Sequence, residues 1–464
     1  MQKFVGRKKE LKVLEKAYTC EPSAFIPIYG RRRVGKSELI LRFIKNKTGI
    51  YFVGKRAKQA LHIREFLRES SVALKMPLLE GFSASDWESA LTAVADAWHR
   101  NEKLVIVFDE FQWSAESDPE LISVLQKLWD RKWKNSGKIF LIVCGSYIGF
   151  MEREVLGRKS PLFGRRTGQI FLKPFGYREA GQFHPDYSLV DKARTYFVCG
   201  GIPWYLNFFD SQCSVEMNVV ENLLNPYAPL FQEPDFLLRE ELRDVSNYYA
   251  ILMAIASGFT SQVNISKNTG IDSRSLHYYL KQLRELGYIS RQYPLTTSPP
   301  GSRHVRYVLD DPLLRFWFRF VYPNTSYVAH AGGEKAMQVR VSPGLDSYFG
   351  YCFERLCREA LPDIYIREGV NASFRIGEYW NPKTQIDVVG IRDDNWIDLG
   401  ECKWGKRPSA ASLKKELASK AEHYPNPKNC TLAFRIFSRT PFHQKHTRGI
   451  RVHSLKDLYR FPEG

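Results

Sequence analysis

The eight residues at positions 30–37 have the types and spacing that bind phosphate groups. They fit the pattern GxxxxGK[ST] at every fixed position, as Gly30, Arg31, Arg32, Arg33, Val34, Gly35, Lys36 and Ser37. Glycines let the backbone curl so that successive N–H groups point at phosphate oxygens. We expect Lys36 to reach the β- and γ-phosphates and the Ser37 hydroxyl to ligate Mg²⁺. The motif predicts a nucleoside triphosphate site.

Further groups suited to phosphoryl chemistry follow two apolar runs. Asp109 ends the run LVIVFDE and is expected to hold Mg²⁺, mainly through water, while Glu110 polarises the attacking water. Ser146, after KIFLIVCG, is a candidate polar sensor of the γ-phosphate. Arg165 and Arg166 either stabilise phosphoryl charge in the transition state, within one chain or across a subunit boundary, or lie on an ordinary surface turn.

A second set of carboxylates lies towards the carboxyl end of the chain. Asp387 stands in QIDVVG, and Glu401 and Lys403 follow in LGECK. Glu354, in a helical pattern upstream, adds a third acid. Such acids bind Mg²⁺ or Mn²⁺ through oxygen, and the lysine orients or deprotonates water and offsets the charge of a scissile phosphate. Surface strands also meet this pattern by chance.

Alternating buried strands and amphipathic helices must position the first set of groups. The runs 24–29, 104–110, 138–146 and 169–175 predict strands of a parallel α/β sheet, with a helix after the loop 30–37. A helical region from residue 176 to residue 241 follows and contains the turn GGIPWYL. Apolar strands around Asp387 and Glu401 would bring both acids to one sheet edge.

Residues 242–322 predict a winged helix, because three helical patterns precede two strand-like runs. Its third helix would present an outward polar face that consists of Ser273, Arg274, His277, Lys281 and Arg284. Two basic residues, Arg303 and Arg306, lie in or beside the wing that follows. This face either contacts duplex DNA or belongs to a spacer or docking module. The aromatic residues after it are predicted to be core: Phe316, Trp317, Phe318 and Phe320.

Composition narrows the classes of protein. The 464 residues are 44% hydrophobic and 25% charged, which excludes a largely disordered or fibrous chain. No apolar run is long enough to span a membrane, and the charged start is unlike a secretory signal, so we expect a cytoplasmic protein without membrane contact. The formal charge of +18, concentrated at both ends of the chain, suits a polyanion such as nucleic acid. No CxxC pair supports a zinc ribbon.

The segments FVGRKKEL, GRRRVGKS, VFDEFQ, GSYIGFM, FGRRT, LKPF and GGIPWYL together resemble the archaeal-type ATPase family, in the AAA+/STAND part of the P-loop NTPases. The resemblance covers about residues 1–240. It implies ATP as the nucleotide, with Val5, Gly6 and Arg7 near the adenine. It also implies that GGIPWYL packs against the nucleotide as part of a helical lid. Members often assemble into rings or switch between closed and open states, so we expect a homo-oligomer.

Residues 345–464 resemble the PD-(D/E)XK nuclease superfamily and the C-terminal domain that often accompanies these ATPases. The resemblance implies Glu354 as the helix acid, Asp387 as the metal-binding acid, and Glu401 with Lys403 as the Glu-x-Lys pair. The proline that precedes the aspartate in that superfamily is Ile386 here. A basic set would contact phosphates or form a solvated face: Lys406, Arg407, Lys414, Lys415 and Lys420.

The sequence therefore predicts five parts: a P-loop ATPase core (1–175), a helical lid (176–241), a winged helix (242–322), a linker (323–344) and a restriction-endonuclease-like α/β domain (345–464). The function expected is an ATPase that controls metal-dependent cleavage of duplex DNA, with a lean towards defence against foreign DNA. A regulatory ATPase switch with a non-cleaving, DNA- or partner-binding C-terminal domain is the alternative. A third hypothesis, a sequence-specific transcription regulator, is supported by the predicted winged helix alone.

Overall fold

The computed structural model describes residues 4–298, 304–405, 409–442, 446–447 and 449–461. Three basic residues of the predicted contact surfaces, Arg303, Lys406 and Arg407, lie outside these ranges. The chain forms two compact units. The first comprises Met1–Phe175 with Ile202–Trp204, and the second comprises Gly176–Gly201 with Tyr205–Gly464.

A five-stranded parallel sheet forms the centre of the first unit. Its strands are β1 (Ala24–Tyr29), β2 (Gly49–Val53), β3 (Leu104–Asp109), β4 (Ile139–Gly145) and β5 (Ile170–Phe171). They are arranged in the order β2-β3-β4-β1-β5, and every neighbouring pair is parallel. Every residue of β1, β3 and β4 is buried, because helices cover both faces of the sheet. This is the fold of a P-loop NTPase.

The order of the strands places the predicted phosphate-binding groups together. Because β4 lies between β1 and β3, the carboxyl ends of these three strands form one continuous edge. The loop 30–37 follows β1, Asp109 ends β3, and Ser146 follows β4. The sequence predicted four strands and missed β2, whose short run GIYFV alternates between buried and partly exposed residues.

Amphipathic helices surround this sheet. The α-helices of the first unit are Lys8–Cys20, Lys36–Ile44, Gln59–Leu74, Trp87–Ala97, Phe111–Ser117, Glu120–Leu128, Lys134–Ser136 and Ile148–Phe150. A cluster of mutually packed rings anchors them to the sheet. Phe52 and Phe108 of the strands meet Phe66 and Trp87 of two helices at centroid distances of 5.6–5.9 Å.

The second unit begins with helices and continues into a three-helix segment closed by a hairpin. The first helices are Tyr177–Ala180, Leu189–Cys199, Val215–Leu223 and Pro229–Glu241, and the residues of the short helix Pro203–Leu206 are divided between the two units. The winged-helix-like segment consists of helices Val245–Ala256, Gln262–Thr269 and Ser273–Glu285 with the antiparallel strands β6 (Ile289–Gln292) and β7 (Arg306–Leu309). The aromatic run after it is buried, as the sequence predicted: Phe316, Trp317, Phe318 and Phe320.

A six-stranded mixed sheet forms the rest of the second unit. Its strands are β8 (Phe374–Trp380), β9 (Gln385–Arg392), β10 (Trp396–Lys403), β11 (Thr431–Ser438), β12 (His446–Thr447) and β13 (Ile450–Ser454), in the order β12-β13-β11-β10-β9-β8. The helices of this part and of the predicted linker are Pro312–Phe316, Thr325–Ala331, Gly333–Ala336, Ser342–Arg367, Ala410–Ala421 and Leu455–Tyr459. No helix in the described ranges combines the length and apolar character needed to cross a bilayer.

Candidate functional site

The loop 30–37 is shaped by close backbone contacts. A Cβ atom at Gly30 would lie 2.3 Å from the carbonyl oxygen of Leu172, so only glycine fits there. The helix Lys36–Ile44 begins directly after Gly35 and directs its amino end at the loop. Lys36 is buried, and its Nζ atom donates to the carbonyl oxygens of Gly30 and Arg31 at 2.9 and 3.0 Å. The ammonium group therefore lies inside the loop.

The acids at the end of β3 are oriented by neutral donors. The Ser37 hydroxyl donates to Asp109 Oδ2 at 2.7 Å, and the Tyr51 hydroxyl donates to the same oxygen. Burial and the charge of Asp109 raise the pKa of Tyr51, which keeps this hydroxyl protonated. Tyr51 lies on the strand that the sequence missed, so its role had no sequence signal. A hydroxyl and a carboxylate in contact are the oxygen ligands that Mg²⁺ prefers.

The direction of the Glu110 side chain, away from that of Asp109, is set by the backbone conformation of Glu110 and by two polar neighbours. Its φ of 48° places it in the left-handed region. The Ser146 hydroxyl donates to Glu110 Oε2 at 2.8 Å, and the Gln112 amide donates to the same oxygen. Ser146 thus lies beside the predicted water-polarising acid, at the end of the strand between β1 and β3. Gln112 is a member of this group that sequence reasoning did not identify.

Two segments distant in sequence pack against the phosphate loop. Arg7 is buried and donates to the carbonyl oxygens of Val34 and Lys173 at 3.0 and 2.8 Å, so the Val5–Arg7 segment is fixed beside the loop. In the GGIPWYL turn, the Trp204 ring lies 4.0 Å from the Arg33 guanidinium. Both segments therefore border the predicted nucleotide site.

The two arginines predicted to stabilise phosphoryl charge make contacts elsewhere. The Arg165 guanidinium forms a two-pronged ion pair with Asp130, with donor–acceptor distances of 2.8 and 3.0 Å. It also donates to the carbonyl oxygen of Pro161 at 2.7 Å. Arg166 donates to the carbonyl oxygen of Leu156 at 3.4 Å. Their role at a phosphate stays a prediction.

In the second unit, the predicted acids converge where β9 and β10 stop pairing. The antiparallel register ends with Gly400 opposite Val388, so Glu401 and Asp387 are next in line across the two strands. Asp387 Oδ2 accepts a hydrogen bond from the Cys402 N–H at 3.0 Å, which continues the ladder with a side chain. Both acids are buried: Asp387 is 7% exposed and Glu401 is 3% exposed.

The acids interact strongly with one another. Burial first, and then the charges of Asp387, Glu378 and Glu401, raise the pKa of Glu354 on the helix Ser342–Arg367 to about 9, although Arg358 opposes the shift. Burial and the charge of Glu401 raise the pKa of Asp387 to about 6. Four carboxyl groups therefore share one region of low polarity, and at neutral pH Glu354 retains its proton.

Lysines hold the carboxylate of Glu401. Lys403 Nζ lies 2.8 Å from Oε1, and Lys420 Nζ lies 2.6 Å from Oε2. Burial is the largest single effect and lowers the pKa of each lysine, but the hydrogen bond to Glu401 and the charges of the nearby carboxylates together outweigh it, so both pKa values are raised. Among the residues that the structure describes, no three histidine, cysteine, aspartate or glutamate side chains are grouped closely enough to hold a metal ion as they stand.

Three further residues belong to this region. Lys420 was predicted as a phosphate contact, and the helix Ala410–Ala421 directs its ammonium at Glu401. Arg306 was predicted in or beside the wing; it begins strand β7 of the hairpin, and its guanidinium lies 4.3 Å from the Trp380 ring and donates to Gln385. Glu378 was missed because a β-bulge between Gly377 and Tyr379 interrupts the strand at this acid.

The outer face of the third winged-helix helix carries the side chains that the sequence predicted. It begins at Ser273 after the N-cap Asp272, whose carboxylate accepts from the N–H groups of Arg274 and Ser275 at 3.0 and 3.1 Å. The predicted contact residues are all exposed: Ser273, Arg274, His277, Lys281 and Arg284. On the helix Ala410–Ala421, Lys415 is exposed and Lys414 is partly buried.

Family profiles match three separate stretches of the chain. A family profile for an ATPase domain predominantly from Archaea matches residues 4–209. A profile of the B-block binding subunit of TFIIIC matches residues 247–306, and one of archaeal and bacterial proteins of unknown function matches residues 317–419. A Walker-type ATPase of Pyrococcus abyssi superimposes with a TM-score of 0.50 at 19% identity, covering 68% of this chain and 96% of that chain. At that identity the likeness shows a shared fold.

One relative matches along nearly the whole length. Uncharacterized protein MJECL04 of Methanocaldococcus jannaschii is 31% identical over 409 residues, which is 86% of this chain and 87% of that protein. The match extends well beyond the ATPase domain, so the two proteins share their overall organisation. The chain therefore belongs to the same family as MJECL04, and an archaeal-type ATPase domain forms its first part.

Proposed function

We propose that this chain is an ATP-dependent DNA-processing protein in which the ATPase domain controls phosphodiester cleavage by the acids of the second unit. The observation that supports it most is the convergence of Glu354, Asp387 and Glu401 at one point of the mixed sheet, with Lys403 bound to Glu401. Burial and mutual repulsion raise the pKa values of Glu354 and Asp387, so keeping these acids together costs free energy, and groups perturbed in this way are typical of functional sites.

At the nucleotide, the side chains divide into binding and proton-handling groups. Lys36 and the loop N–H groups would bind the phosphates, and the Val5–Arg7 segment and Trp204 would border the base. Ser37 and Asp109 would hold Mg²⁺, which would offset the negative charge of the phosphates. Glu110, oriented by Ser146 and Gln112, would accept a hydrogen bond from the attacking water.

At the acid cluster, the donor set suits a hard cation such as Mg²⁺ or Mn²⁺, because it consists of carboxylate oxygens. Glu354, Asp387 and Glu401 would hold such an ion, which would polarise the scissile phosphate. Lys403 would hold a water beside that phosphate. The Cys402 N–H fixes the orientation of the Asp387 carboxylate, and Arg358 donates to the backbone carbonyl of the same residue.

Cleavage assays test the proposal directly. Purified protein is incubated with linear and circular DNA in Mg²⁺ or Mn²⁺, with and without ATP. We expect cleavage by the wild type, loss of cleavage in Asp387→Asn, and altered cleavage in Lys36→Ala. Asp393→Asn is the matched control, because Asp393 is an exposed acid after the same strand β9. Cleavage that survives Asp387→Asn would refute the assignment of the acid cluster.

DNA binding through the winged-helix-like segment is part of the proposal. Arg274 and Arg284 are exposed on one helix, and phosphate contacts of this kind weaken with salt. Replacing either arginine with alanine should weaken duplex binding about equally for all sequences and lower the salt dependence. Fluorescence anisotropy at several salt concentrations measures both.

A homo-oligomer is also proposed, and sedimentation with and without ATP tests it.

A second candidate function is an ATP-driven switch whose second unit binds DNA or a partner without cutting. It is favoured by the two lysines that occupy both carboxylate oxygens of Glu401, since they neutralise an acid that a metal would otherwise use. ATP turnover and a DNA gel shift without any cleavage product, in either metal, would select this function.

A further inference from the structure

A cavity of 380 Å³ lies between the winged-helix-like segment and the mixed sheet of the second unit. This volume is at the lower end of the roughly 300–1,000 Å³ of small-molecule pockets. Two of its walls are joined by a direct contact, because the Arg306 guanidinium of β7 donates to the Gln385 side chain of β9 at 3.3 Å.

Three arginines line this cavity: Arg306, Arg315 and Arg319. Within the described ranges none of them forms an ion pair with a carboxylate. Arg319 donates to the carbonyl oxygen of Ala256 at 3.2 Å, and Arg315 donates to that of Leu309 at 3.0 Å. Two acids, Glu354 and Glu378, also line the cavity, so three guanidinium groups face two carboxyl groups and positive charge is in excess.

Arg315 is the most informative of the three. Its side chain is only 6% exposed, and its Nε atom is buried without any hydrogen-bond partner in the protein. A buried guanidinium without an anionic partner is costly, because the group has lost water without gaining a counter-charge. An anion in the cavity would supply that counter-charge at short range.

The remaining lining indicates what else the ligand carries. Tyr348 and Tyr351 lie beside Arg315, with their ring centroids 5.9 and 5.6 Å from its guanidinium carbon. Ile255 and Val308 add apolar surface. Aromatic and apolar walls next to a cationic one suit a phosphate joined to a sugar and a base better than they suit a bare inorganic ion.

We propose that this cavity binds a phosphate-bearing ligand of the size of one nucleotide, with its phosphate on Arg306, Arg315 and Arg319. The ligand has two possible sources of the same chemistry: a free mononucleotide or the terminal nucleotide of a DNA strand. Glu354 and Glu378 also line the cavity. Binding of the end of a DNA strand in this cavity rests on the proposed nuclease function, whereas binding of a free nucleotide does not.

The test is calorimetric titration of the full chain with thymidine 5′-monophosphate, in the absence of divalent metal and of any other nucleotide. Inorganic phosphate is titrated in parallel. We expect the wild type to bind the nucleotide, with affinity lowered about tenfold or more in Arg319→Gln and in Arg306→Gln. Arg340→Gln is the control, because Arg340 is exposed and lies against Tyr327, outside the cavity. Circular dichroism confirms that each variant is folded.

Absence of binding by the wild type, or equal affinity in the wild type and both cavity variants, would overturn the proposal. Displacement of the nucleotide by duplexes with phosphorylated ends, but not by duplexes with hydroxyl ends, would identify the strand end as the source. Displacement by neither duplex would identify the free nucleotide. These titrations involve no cleavage, so their outcome is independent of whether the protein cuts DNA.

Discussion

Replacement of Glu354 by glutamine should stabilise the metal-free protein at alkaline pH. The pKa of Glu354 is about 9 in the folded chain, against an ordinary value of 4.5, because the side chain is buried among Asp387, Glu378 and Glu401. Between these two values the folded state holds a proton that the unfolded state has released. The free energy of unfolding therefore falls as pH rises through this window, by up to about 1.4 kcal/mol per pH unit.

The size of the expected stabilisation follows from this window. If Glu354 titrated alone, its raised pKa would lower the free energy of unfolding at pH 8 by about 4–5 kcal/mol. Because Asp387 shares the shift, we expect Glu354→Gln to recover about 2–4 kcal/mol of it. The neutral amide keeps the shape of the side chain and removes its titration. Urea denaturation followed by tryptophan fluorescence at pH 5, 6.5 and 8 measures both the gain and the slope.

Glu416→Gln is the control with the opposite sign. Burial raises the pKa of Glu416, but Lys403 and Lys420 outweigh it and lower the pKa, so its loss should not stabilise the protein at pH 8. Mg²⁺ should stabilise the wild type more at pH 8 than at pH 5, because it favours the ionised acids, and should do so less in Glu354→Gln. An equal pH slope in the wild type and in Glu354→Gln would refute the reasoning.

Three further outcomes follow from the structure. Glu110→Gln should slow ATP hydrolysis by about 10²–10⁴-fold with ATP binding retained, as phosphate release and equilibrium binding would show; unchanged turnover would exclude Glu110 as the water-polarising acid. Gly6→Ala should destabilise the first unit by about 1–3 kcal/mol in a denaturation experiment, because its φ is +66° and the new Cβ would lie 2.7 Å from the Phe175 ring. Burial, followed by the charge of Arg435, lowers the pKa of His453 to about 4, so up to about 3 kcal/mol of stability should be lost as pH falls from 6.5 to 4, and His453→Gln should reduce that loss.

The sequence predicted which groups meet at the carboxyl edge of the parallel sheet, because these groups lie close to recognisable local patterns. A phosphate loop needs a strand, a tight turn and a helix in direct succession, and residues 24–44 contain all three. Asp109 and Ser146 were predictable because each follows an apolar run long enough to be a buried strand. Tyr51 was not, because β2 is short and only alternate residues are buried.

The acid cluster was only partly predictable, because long-range packing sets its electrostatics. Asp387 and Glu401 follow from strand periodicity, but Glu378 joins them through a β-bulge that leaves no clear trace in the sequence. The direction of Lys420 depends on how its helix packs against β10, which periodicity does not specify. Arg306 shows the same limit, since an arginine beside a predicted wing is expected in solvent unless the sheet that covers it is known.

The nucleotide site and the acid cluster differ in the groups that a metal ion would have to displace. This difference determines whether metal binding would depend on the substrate. At the nucleotide site the donors to Asp109 are neutral hydroxyls, which can remain beside a bound cation at no cost in charge. At the acid cluster the partners of Glu401 are two ammonium groups, which repel an incoming cation. A DNA phosphate offers those lysines another anion, and transfer of the lysines to it would free Glu401. Under the proposed function, metal and DNA would therefore bind cooperatively at the acid cluster, and the cleaving arrangement would form only when the substrate is present.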